Sequence, residues 1–160
     1  MRTIVHIGQH KTGTTSIQHF LQNRRDDLAE AGLYIPDTLL GFDNPSHFLL
    51  NVHALDADRE STAKIMLKEA VDPGYFDTLA DRLREDIARH YALALEHDCA
   101  EVLWTNEGLF LLDSEAEYAR LRALFDDHSD SVDCVCCFRD QPPWNRYRTT
   151  IQNRFRSDGQ

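Results

Sequence analysis

The stretch Ile7-Gly8-Gln9-His10-Lys11-Thr12-Gly13-Thr14-Thr15-Ser16 decides how this chain is read. It follows an apolar run, Ile4, Val5 and Ile7, and opens an amphipathic segment. A strand, a glycine-bounded turn and a helix start, in that order, make a phosphate cradle, because the turn amides and the helix N-terminus both favour an anion. Gly8 and Gly13 have the spacing of a P-loop, yet Thr14 occupies the P-loop lysine position and the lysine lies inside the loop as Lys11. That displacement argues against an ordinary ATPase or GTPase and towards a different phosphate-bearing donor.

Outward from this stretch, strand and helix signals alternate. Residues 3–8 read as a first strand and 14–31 as a first helix, with Ile17, Phe20, Leu21 and Leu28 near helical spacing and Gly32 as its stop. Leu33–Ile35 reads as a short second strand ended by Pro36. Residues 37–60 lack clear periodicity and read as a long loop of the kind that lines a site. A helix is expected over 61–70. A longer one is expected from Asp72-Pro73 to about His97, with Leu79, Leu83, Ile87 and Tyr91 on one face. Glu101–Thr105 reads as a third strand. Ser114 reads as the N-cap of a helix running to about Asp127, with Glu117 placed for a capping box. Val132–Phe138 reads as a buried fourth strand, and Gln141-Pro142-Pro143-Trp144 opens a last helical stretch towards Arg156. The alternation predicts one α/β domain over residues 1–160, a three-layer sandwich with a mostly parallel central sheet. Ligands in such folds sit at the carboxyl ends of strands, so the loops after Ile7, Ile35, Thr105 and Phe138 are where chemistry is expected.

Composition narrows the function. The 160 residues are 42% hydrophobic, enough for one domain with a real core. The formal net charge is -10 and the pI about 5.1, which argues against nucleic-acid or anionic-membrane partners. The charge is uneven. Residues 139–160 hold Arg139, Arg146, Arg148, Arg154 and Arg156 against Asp140 and Asp158, a balance of +3 that leaves -13 on residues 1–138. A basic segment on an acidic protein suits an anionic ligand, although a solvated arginine-rich helix has the same composition. Cys134, Cys136 and Cys137 crowd one strand and Cys99 stands alone, without the second ligand pair a metal site needs. They read as reduced core cysteines of a cytoplasmic protein. No apolar run approaches membrane-spanning length.

Four features fall at the expected strand ends: the Lys11 loop, a polar loop with His47 and His53, Asn106-Glu107, and Arg139-Asp140 followed by Asn145 and Tyr147. This arrangement resembles the sulfotransferases that use 3'-phosphoadenosine 5'-phosphosulfate (PAPS). The run from His6 to Gln18 is similar to their loop for the 5'-phosphosulfate: a lysine, one residue, a glycine, then paired hydroxyl residues at a helix start. The run Val135–Asp140 with Asn145 and Tyr147 is similar to their 3'-phosphate element. The two segments bracket nearly the whole chain. The resemblance implies a P-loop NTPase-like sulfotransferase fold and transfer of a sulfuryl group to a hydroxyl or amine, releasing adenosine 3',5'-bisphosphate. The acceptor would be a small molecule, sugar or lipid.

The resemblance also implies roles. His10, Lys11, Thr12, Gly13, Thr14 and Thr15 form the phosphosulfate loop, with Lys11 on the bridging oxygen where charge develops. Arg139 and Asn145 take the 3'-phosphate. Glu107, or else His47, is the base on the acceptor. No metal is required, because Lys11 and the loop amides stabilise the leaving group. Trp144, Phe48 and Trp104 are aromatics for adenine or the acceptor, with a core role as the default. The chain departs from the family pattern in two places. The serine expected after the arginine is absent; an ungapped count puts Tyr147 there and a two-residue deletion puts Asn145 there. The chain also stops at Gln160, short of the family's closing loop, which reads as C-terminal truncation or as a site completed by homo-oligomerisation. The rival readings are a P-loop nucleotide kinase or NTPase and a non-catalytic nucleotide-binding module.

Overall fold

The computed structural model describes residues 1–8 and 13–137. Four strands, β1 (Arg2–Gly8), β2 (Leu33–Tyr34), β3 (Glu101–Thr105) and β4 (Ser131–Cys137), form one all-parallel sheet in the order β2-β3-β1-β4. The helices are α1 (Thr14–Asn23), α2 (Arg25–Glu30), α3 (Leu49–Ala54), α4 (Thr62–Ala70), α5 (Tyr75–Glu96) and α6 (Glu115–Arg122). A 3-10 helix covers Glu107–Leu111. Parallel strands need crossover connections, and the helices between strands supply them.

Register decides which residues share a face. Val5 lies opposite Trp104 and His6 opposite Thr105. The Val5–Trp104 face takes α5. Leu79, Leu83, Ile87 and Tyr91 are buried there, as their spacing predicts. Trp104 is fully buried, with ring centroids of His47, His90 and Phe125 at 5.1, 5.7 and 5.9 Å. Each such large apolar side chain contributes roughly 1.5–3 kcal/mol on burial. Tyr91 also hydrogen-bonds Thr3 on β1, which ties α5 to the central strand. The His6–Thr105 face is polar at its carboxyl end, where His6 Nδ1 lies 2.8 Å from Thr105 Oγ1.

Several elements differ from expectation. The helix expected over 14–31 is broken at Arg24, whose φ of -118° and ψ of 17° leave the helical region. Its second half, α2, ends before Gly32, where φ is +89° and a glycine meets no Cβ strain. Phe20 is exposed, and the inner face of α1 is Thr14, Gln18 and Leu21. Residues 37–60 are not all loop, because they contain α3, buried almost all round by Leu49, Leu50, Asn51, Val52 and Ala54. A helix apolar on every side shows no period in the sequence. Helix α6 stops at Arg122 rather than near Asp127. Ser114 caps it, accepting from the Glu117 N–H at 3.2 Å, but the Glu117 carboxylate does not return to Ser114. Cys99 is buried, whereas β4 is the outermost strand among the described residues, with Cys134 exposed and Cys136 half-buried. The expected helix beyond Gln141 lies outside the described residues. No helix among the described residues is long and apolar enough to cross a membrane.

Candidate functional site at the carboxyl ends of β1 and β3

Strand β1 is central, with β3 on one side and β4 on the other. The chain visits β2 and β3 on one side before crossing to β4, so the carboxyl end of β1 is the topological switch point where open α/β sheets bind ligands. Helix α1 begins here. Gly13 precedes it with φ 90° and ψ 12°, a left-handed conformation that an L side chain resists. The Gly13 carbonyl accepts from the Ser16 N–H at 3.0 Å, which starts the helix. No side chain caps this end among the described residues. An uncapped helix N-terminus aimed at a strand end favours an anion. Thr14 is buried and Thr15 exposed, so the paired hydroxyl residues face opposite ways.

Glu107 opens the 3-10 helix directly after β3 and Asn106. The backbone around it is fixed from several sides. The Asn106 N–H donates to the His6 carbonyl at 3.0 Å, and Asn106 Oδ1 accepts from the Leu109 N–H at 3.1 Å. Asn51 Nδ2 donates to the Gly108 carbonyl at 2.8 Å. Gly108 must be glycine, since a Cβ there would stand 2.7 Å from Asn106 Oδ1 and 3.1 Å from Asn51 Cγ. The Glu107 carboxylate accepts from Gln18 Nε2 on α1 at 2.5 Å. His6 is buried beside it. Burial pushes the imidazole below its ordinary value, and the nearby Glu107 charge partly restores it.

His47 occupies a different environment. It is 1% exposed. Its Nδ1 accepts from the Thr105 N–H at 3.0 Å and its Nε2 donates to the Pro36 carbonyl at 3.1 Å. Both ring nitrogens are therefore committed, and burial holds the ring neutral with a pKa of about 4. This geometry leaves no nitrogen for an acceptor proton. The alternative base becomes an anchor that docks residues 44–48 onto the end of β3, with Asn106 Nδ2 donating to Ser46 Oγ at 2.9 Å alongside. Trp104 is a core residue, and Phe48 packs edge-on to Phe42 at 5.3 Å.

The structure thus brings Gly13, Thr14, Thr15 and Glu107 to one end of the sheet. His10, Lys11, Thr12, Arg139, Asn145 and Trp144 lie outside the described residues. Gln18, His6, Ser46 and Asn51 were not singled out as site residues from the sequence. The signal for Gln18 was its place one helical turn beyond Thr14. Among the described residues no group of three or more His, Cys, Asp or Glu side chains converges as a metal site would.

Fold and site together define an α/β protein whose central parallel strand runs into a glycine-entered helix beside an ordered glutamate. Compared with protein families, with curated proteins and with solved structures, the chain finds no match.

Proposed function

We propose that the chain is a PAPS-dependent sulfotransferase domain with a P-loop-like, three-layer fold, acting on a hydroxyl or amine of a small molecule, sugar or lipid. The observation that supports this best is the juxtaposition of a glycine-entered helix N-terminus at the central strand's end with the Glu107 carboxylate held from the same helix. The first suits an anionic donor and the second an acceptor proton, which are the two halves of a group transfer.

When bound, PAPS supplies an electrophilic sulfuryl group; the acceptor oxygen or nitrogen bonds to sulfur while the bridging S–O bond breaks, its electron pair staying on the phosphate. Glu107 takes the acceptor proton. The amides at the start of α1, with Thr14 and Thr15, hold the 5'-phosphate. Lys11, placed in this role by its sequence context, sets a cation at the oxygen where charge develops, and Arg139 with Asn145 takes the 3'-phosphate.

Calorimetric titration with adenosine 3',5'-bisphosphate tests the donor half. Binding near 1 μM, about -8 kcal/mol, is expected, with AMP much weaker and Lys11→Ala at least tenfold weaker. Turnover of PAPS with pooled alcohols and amines tests the rest, and Glu107→Gln should lower kcat by about 10²–10⁴ without loss of fold. Tight ATP/Mg²⁺ binding instead would make the chain a nucleotide kinase or NTPase. Bisphosphate binding without turnover would make it a non-catalytic module.

A further inference from the structure

We propose that Gln18 is a positioning residue for the Glu107 carboxylate, so that helix α1 sets both the donor cradle and the direction of the base. This rests on Glu107 being the base.

Gln18 is 3% exposed and lies one turn beyond Thr14 on the inner face of α1. A leucine there would extend the buried stripe to Leu21 without a buried amide to satisfy. The amide is satisfied by a single distinctive partner, its Nε2 donating to Glu107 Oε2 at 2.5 Å. The backbone of Glu107 is already fixed by Asn106 and by Asn51 at Gly108. The side chain beyond it has three rotatable bonds, and Gln18 hydrogen-bonds its carboxylate. In this proposal the hydrogen bond to Oε2 orients the carboxylate and leaves Oε1 for the acceptor.

The choice of glutamine has a chemical reason. An arginine or lysine at this position would hold the carboxylate as an ion pair and weaken it as a base. A neutral amide orients it with one hydrogen bond and adds no counter-charge of its own. Among the described residues His6 from β1 is a titratable neighbour of Glu107, and burial lowers its pKa while the Glu107 charge opposes that. One hydrogen bond then couples the base to the helix whose N-terminus forms the donor cradle. That matters because a misplacement of about 1 Å between reacting groups costs roughly 10²-fold in rate.

The test pairs Gln18→Met, which keeps length and removes the donor, with Glu107→Gln. In the wild type, NMR should show the Gln18 side-chain amide protons shifting with pH as the carboxylate titrates, and Glu107→Gln should abolish that shift. In turnover, Gln18→Met should lower kcat by about 10–100-fold while the KM for PAPS stays within about twofold. Unchanged kcat in Gln18→Met beside an inactive Glu107→Gln would overturn the proposal, as would amide protons that ignore pH. A wild type that consumes no PAPS would remove the base role and this inference with it. The amide signal would still report whether the contact exists, so the two failures are told apart. It is also read on the wild type, so it survives a variant that does not fold.

Discussion

Two polar clusters in this molecule each centre on a glutamate and differ in closure. One lies around residues 55–64 and α6. Lys64, 5% exposed, spends all three ammonium donors on the carbonyls of Asp56, Ala57 and Arg59 at 2.8, 3.2 and 2.7 Å. Glu117, fully buried, accepts from the Asp56 and Asp113 N–H groups at 2.9 Å each and from Arg59 at 2.5 Å. Arg120 reaches the Ala54 carbonyl at 3.0 Å and pairs with Asp56. The other cluster lies at the ends of β1 and β3, where Gln18 engages one oxygen of Glu107 beside a glycine-entered helix start. In the first, charges close on one another and hold a loop. In the second, among the described residues, a carboxylate is oriented by a neutral amide. Burial of charge therefore separates structure from chemistry only when its partners are counted.

The largest effect expected from breaking this contrast is at Glu117. Burial alone would raise its pKa, but the Asp56 and Asp113 amides and the Arg59 guanidinium outweigh that and pull it to about 2. Glu117→Ala should destabilise the fold by about 3–5 kcal/mol, because it strands the donors that converge on it. Urea unfolding measures this, and donor affinity of the folded fraction should not change. A variant as stable as wild type would mean that the cluster is ornamental.

His47 comes next. His47→Ala removes a ring from the Trp104 core and two hydrogen bonds, a loss of about 2–4 kcal/mol. A structural histidine predicts a lowered melting temperature with the shape of the pH–rate profile kept. Loss of turnover at full stability would instead return His47 to the role of base.

The smallest effect per step is that of pH. Burial, joined at His90 by the neighbouring Arg89, lowers His47 and His90 from 6.5 to about 4. The unfolded chain takes up their protons first. Stability should thus be full above pH 6.5 and fall towards pH 4 by about 1.4 kcal/mol per pH unit for each histidine. Glu117 adds a later loss. Its folded pKa is depressed, so its contribution is present above 4.5 and disappears as pH falls towards 2. Denaturant midpoints at pH 7, 6 and 5 check the histidine part, and a flat profile would contradict it.

Much of the fold was legible because it depends on local pattern. The apolar runs of β1 and β3, the Leu79–Tyr91 spacing of α5, and the Ser114 cap all speak through neighbours a few residues away. Helix α3 was not legible, because burial on every side erases the period that marks a helix. Nor was the inner face of α1, where Thr14 and Gln18 are buried and Phe20 is not. At a strand end the helix packs on polar groups, so apolar spacing points to the wrong face. The site divides the same way. Gly13 and the paired threonines could be read from the chain itself, since a glycine before a helix start carries its own geometry.

The sequence by itself determined that a strand feeds a glycine-entered helix within an alternating α/β chain of strongly acidic character, since these are properties of adjacent residues and of composition. Only the tertiary structure decided that Gln18 meets Glu107 across 89 positions and that both nitrogens of His47 are taken by Thr105 and Pro36. Those outcomes depend on which strands pair and in what register, and a parallel sheet sets that through contacts far apart in the chain.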